Sequence, residues 1–174
     1  MSAFPLTRRA ALAALGALVF PAWAEVTSAT AQPGLRIRAI KVDVSPIRAS
    51  MGDPTAAWVE EALPGALAQS LAPYMAPGDR NAATLVARID YLYLGPSSGG
   101  GGNFGGFRRT QDTINGTLLL TGPRGGVVAN VPLRAISSYF PMAVDQTLVE
   151  RALQGRVVAL AQAFAGWAPR ELGL

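Results

Sequence analysis

The chain has 174 residues, 50% apolar and only 15% charged, with no cysteine and no histidine. That composition belongs to one packed globular domain and not to a disordered polymer. The two missing residue types exclude disulfides, thiolate or Ser-His-Asp nucleophiles, haem and iron–sulfur ligation and ordinary zinc sites before any motif is read.

The first residues read as an address. Arg8 and Arg9 precede an apolar run from Ala10 to Phe20, and Pro21-Ala22-Trp23-Ala24 follows ahead of Glu25. A charged start, a short apolar centre and a small-x-small end make a secretory signal, so residues 1–24 are expected to be cleaved off after Ala24. Spanning a bilayer takes about 20 apolar residues, which disfavours an uncleaved anchor. Thr7, Arg8, Arg9 and Leu12 resemble the twin-arginine export signal of bacteria, with Ala11 in place of the family's Phe and Ala13 in place of its Lys; the general secretory route stays open. With no cysteine to acylate, the mature protein is expected free in the periplasm or secreted, meeting the membrane only during export. Losing Arg8 and Arg9 lowers the net charge from +4 to +2. No long basic cluster remains, which argues against a nucleic-acid partner.

Residues 25–34 lack periodicity and read as a flexible leader; residues 35–170 form the single domain. Alternation from Leu35 to Val44 predicts a strand whose apolar face switches, with a bulge near Ala39 and Ile40. Asp53-Pro54 predicts a helix start with Asp53 as N-cap, and Val59, Leu63, Ala66, Leu67, Leu71 and Tyr74 give it an apolar stripe. Pro64 is expected to kink or split that helix near Glu60. A second strand is expected from Thr84 to Leu94, with Leu85, Ala87, Ile89, Tyr91 and Tyr93 on one face. A third alternates Ile114, Gly116, Leu118 and Leu120 with polar residues; reading Asn115-Gly116 as a hairpin turn leaves very short arms. After a turn at residues 122–126, Val127, Val131, Leu133 and Ala135 define a fourth strand, placed at an edge by Pro132. The last helix carries Val149, Leu153, Val157, Leu160, Phe164 and Trp167 on one stripe, with Glu150, Arg151, Gln154 and Arg156 off it. Asp145 is its expected N-cap and Pro169 its stop. The order β-α-β-β-β-α predicts an α+β two-layer sandwich, a mostly antiparallel four-stranded sheet with two helices on one face.

That order, the export signal and the lack of catalytic residue types resemble the small α/β-sandwich accessory proteins of Gram-negative envelopes. The group includes the lipopolysaccharide-assembly lipoprotein, the curli-secretion lipoprotein and the N-terminal domain of TolB. The likeness covers most of residues 35–167 and is architectural; two of those relatives are lipoproteins, whereas this chain has no cysteine. It implies a protein that catalyses nothing, holds no cofactor and binds an envelope or periplasmic protein or ligand.

The chemistry-bearing candidates are few. Gly100, Gly102 and Gly105 fit G-x-G-x-x-G, but a strand and not a helix N-terminus follows, so the segment 96–109 reads as a long mobile hairpin loop. Within it Phe104, Phe107, Arg108 and Arg109 form a candidate contact for an acidic or aromatic partner, by stacking and bidentate hydrogen bonding. Trp58 falls outside the apolar stripe of its helix and is a second candidate contact. Tyr91 and Tyr93 are expected to be core aromatics, with a ligand wall as the alternative. Glu60 and Glu61 point about 100° apart on a helix, and no spacing pairs any two of Asp43, Asp90, Asp112 and Asp145. A binding module is therefore the leading expectation, and a carboxylate-dependent glycan hydrolase the alternative.

Overall fold

The computed structural model describes residues 34–95, 110–139 and 149–174. The signal peptide, all but the last residue of the leader, the segment 96–109 with Phe104, Phe107, Arg108 and Arg109, and the expected cap Asp145 lie outside the described residues.

The chain runs β1 (Ile37–Asp43), α1 (Ser45–Met51), α2 (Asp53–Ser70), a 3-10 turn (Ala72–Tyr74), β2 (Ala83–Tyr93), β3 (Thr110–Thr121), β4 (Val127–Tyr139) and α3 (Val149–Glu171). The four strands lie in the order β1-β2-β3-β4, the first pair parallel and the others antiparallel. The helices cover one face, giving the expected two-layer α+β sandwich. Its core joins Leu85, Ala87 and Ile89 of β2, Ile114, Leu118 and Leu120 of β3, and Val131, Leu133 and Ala135 of β4 to helix residues such as Val59, Leu63, Leu67, Leu160 and Phe164. Each large side chain so buried contributes on the order of 1.5–3 kcal/mol, the main return for ordering the chain.

The helical layer differs from expectation in several places. A short helix, α1, precedes the expected one; it is too short to show a period, buries only Ile47 and starts with Pro46 in its first turn. Between α1 and α2 stands Gly52 at φ +84°, the left-handed side that glycine tolerates. Gly52 is thus the N-cap, and Asp53 is the first helical residue instead. Helix α2 then runs unsplit to Ser70 with Pro64 inside it; Glu60, whose carbonyl loses its helical donor there, is on the exposed side. Likewise α3 continues through Pro169 to Glu171. Its buried stripe passes from Phe164 to Ala168 and Leu172, leaving Trp167 exposed with the Arg170 guanidinium 5.3 Å from its ring centroid.

Two bulges shape the sheet. One lies between Ile37 and Ala39, slightly earlier than the alternation suggests. The other lies in β2: Ile89 pairs with Gly116 and Tyr91 with Asn115, so Asp90 is the extra residue. As expected, β4 is an edge strand, and Pro132 sits within it opposite Thr117. Val127, expected among the inward residues of β4, is exposed instead, next to the register shift where β4 begins. Among the described residues no helix is long and apolar enough to cross a membrane.

Candidate functional site

The uncovered face of the sheet carries the exposed aromatic surface. Side chains alternate along a strand, so an extra residue turns everything after it over. Before the bulge, Leu85, Ala87 and Ile89 are buried; after it, Leu92 is buried and Tyr91 and Tyr93 are 50% and 46% exposed. The expected core pair therefore lies on the open face. Register sets Tyr91, Asn115 and Arg134 in one row across β2, β3 and β4, and Tyr93, Thr113 and Ile136 in the next. Ile136 is 48% exposed, and Thr113 between Tyr93 and Ile136 is buried. The neighbouring row holds Arg88, Thr117 and Pro132, continued on β1 by Asp43.

Polar contacts stiffen this face. Asp90 accepts from Arg88 Nε at 3.0 Å and from the Thr117 hydroxyl at 3.2 Å, so the bulge residue is held from two strands. Asp43 accepts from the Ser45 backbone N–H at 3.0 Å. The Ser45 side chain and N–H hold the Asp43 carboxyl below its usual value, burial opposes them, and the Arg88 charge adds a little. Arg38 Nε donates to the Thr84 hydroxyl at 3.0 Å. Among the described residues Asn115 Oδ1 is buried without a hydrogen-bond partner, a cost of about 1–3 kcal/mol borne in the row between Tyr91 and Arg134.

Beneath the tyrosines, Asp112 and Arg156 make a buried ion pair. Arg156, 4% exposed, donates from Nε to Asp112 Oδ2 at 2.8 Å and from Nη2 to Asp112 Oδ1 and to the Gly95 carbonyl, the latter at 2.6 Å. The Gly95 N–H donates to Asp112 Oδ1 at 2.9 Å. One guanidinium on α3 thus ties together the end of β2 and the start of β3. Arg156 was expected off the apolar stripe, yet it lies four residues before Leu160 and eight before Phe164 and so shares their side of the helix. Burial is tolerable because both carboxylate oxygens and the adjacent backbone groups are satisfied.

The remaining candidates separate. Trp58 is half-buried against the core, where it starts a flanking stripe with Ala62 and Ala66. Glu60 is held by Arg48 at 2.6 Å, and Arg48 also reaches Asp53 at 3.0 Å; this exposed network stitches α1 to α2. The Glu60 carboxylate raises the Arg48 guanidinium above its ordinary value. Glu61 is exposed beside it. Asp43, Asp90 and Asp112 are each engaged by donors in different places. Among the described residues no three acidic side chains cluster as metal ligands would.

No protein family matches the chain, and no curated protein matches it in sequence. Among solved structures it is similar to a candidate lipoprotein from Caulobacter crescentus, with 14% identity, a TM-score of 0.47 and coverage of 77% of this chain and 87% of that one. A minor lipoprotein from Acinetobacter baumannii follows, at 12% identity and a TM-score of 0.42, covering 80% and 91%. Protein CT253 of Chlamydia trachomatis is similar at 10% identity and a TM-score of 0.30, covering 75% and 98%. None of the three is named as one of the groups given above.

Proposed function

We propose that the chain is an exported, non-catalytic binding module of the bacterial envelope, and that its contact is the open sheet face around Tyr91, Tyr93 and Ile136. The observation that carries this is the bulge at Asp90, which turns two tyrosines out of a strand that buries Leu85, Ile89 and Leu92. Exposed aromatics that a fold could have buried are the side chains that anchor protein contacts: large, rigid and half polar. The N-terminal signal layout supports export, and the Asp90 and Asp112 networks support a face already organised before a partner arrives.

The test is photo-crosslinking in the periplasm, with a benzophenone amino acid placed at Tyr91, at Tyr93 and, as control, at exposed Gln162 on α3. Discrete adducts from the two strand positions and none from Gln162 are expected. Equal or absent adducts at all three overturn the assigned contact. Amino-terminal sequencing of the same material is expected to begin at Glu25.

A further inference from the structure

The outer edge of β4 carries a second message. No strand pairs with that side of β4 among the described residues, although the strand is 13 residues long. Unpaired edges of this length invite another strand and are normally blunted by charge, proline or brevity. Here the blunting is partial: Pro132 and Arg134 interrupt it, yet Val127, Val128 and Ile136 are exposed large apolar residues on the same strand.

Pro132 also shows which way the backbone faces. A proline has no N–H to give, so it fits where the donor is not needed by β3. Backbone direction alternates along a strand, so Arg134, Ile136 and Ser138 share its parity and present their N–H and C=O groups outward. Between Leu133 and Ser138 the outward main-chain groups are therefore those of Arg134, Ile136 and Ser138, unpaired among the described residues and flanked on the open face by the Arg134 and Ile136 side chains.

Charge decides what fits there. On the open face Arg38, Lys41, Arg88 and Arg134 stand against only Asp43 and Asp90. Both carboxylates lie around Arg88, and the row containing Arg134 has none. A second copy of this chain is a poor occupant, because β4 carries Arg134 and no acidic residue to answer it. We infer that the edge of β4 from Leu133 to Ser138 takes an extended acidic stretch of a partner polypeptide as a fifth strand, with a carboxylate beside Arg134 and an apolar side chain beside Ile136. This rests on the binding-module reading and names the chemistry of the partner. Main-chain hydrogen bonds supply affinity in this mode, and alternate side chains supply selectivity.

The probe is the blocked peptide Thr-Glu-Val-Glu-Val-Glu-Val-Thr, titrated against the mature chain by calorimetry beside its lysine counterpart and a version N-methylated at alternate residues. The acidic peptide is expected to bind about tenfold tighter than the lysine one, and the N-methylated peptide to lose binding. Arg134→Glu is expected to reverse the charge preference. Ile136→Pro, which removes one outward donor at the parity Pro132 already occupies, is expected to abolish binding with the circular dichroism spectrum kept. Should that variant misfold, N-methylation reports the same contact on the unmodified protein. Equal binding of acidic and lysine peptides, no binding of either, or an N-methylated peptide that binds as well as the parent, overturns the inference. Crosslinks from Tyr91 and Tyr93 persisting alongside such a result leave the binding-module reading standing, so the two failures are distinguishable. Self-association of the chain through β4, seen as concentration-dependent dimer in sedimentation, also overturns it.

Discussion

The carbonyl oxygen of Arg88 occupies the space where Gly116 would carry a β-carbon, well inside van der Waals contact, and Ile89 Cδ1 would lie 3.0 Å from that same carbon. The absence of a side chain in mid-strand is what lets the two backbones close at the bulge. Gly116→Ala is accordingly expected to lower stability by about 1–3 kcal/mol, the range for overpacking against a backbone that cannot move aside. Urea unfolding measures the loss. Amide shifts concentrated at Tyr91 and Tyr93, more than at β4, are expected to locate the strain.

Asp112→Asn leaves the Arg156 charge buried with a neutral partner, and a loss of about 3–5 kcal/mol is expected. Arg156→Met is expected to cost a similar amount, by stranding the carboxylate. Because the first change already forfeits the pair, the double variant should lose clearly less than the sum of the singles. Additive losses in the denaturant cycle would show that the two side chains act separately.

Replacing both Tyr91 and Tyr93 by serine is expected to change stability by no more than about 1 kcal/mol per position, the span of strand preferences. The same variant should lose its adducts when the crosslinker sits at Ile136. Trp58→Ala makes the contrast: half-buried on the core, it is expected to destabilise by about 1–3 kcal/mol and leave the adducts intact.

Asp43 provides a pH signature. Its carboxyl is depressed in the folded chain, chiefly by the Ser45 side chain and next by the Ser45 N–H, so the native state holds the proton less tightly than the unfolded state does. The stability it contributes is complete above the unfolded value, near 3.8, and drains away as pH falls through the lower folded value. Asp43→Asn is expected to be less stable than the parent at neutral pH and to converge on it in acid, which urea midpoints between about pH 6 and pH 2 will read.

The sheet was largely legible because period-two patterns are long in β3 and β4: Ile114, Leu118 and Leu120 face in, and Pro132 marks the edge. What escaped was register-dependent. One unpaired residue, Asp90, reverses every later side chain of β2, and nothing in the run Ile89-Asp90-Tyr91-Leu92-Tyr93 announces the slip except Gly116, which lies on another strand. Arg156 is hidden from a sequence pattern because a charged residue on a helix ordinarily faces water, and its partner Asp112 lies 44 residues away, beyond any local period. Helix α1 was missed for the opposite reason: seven residues are too few to display a period.

The sequence contains a single lysine, Lys41, exposed on β1 opposite Val86. Its ε-amine is therefore a natural reporter planted in the uncovered layer. Acylation by a mild succinimidyl reagent, followed by mass spectrometry, will register occlusion of that surface in unmodified material, with the α-amine as internal clock.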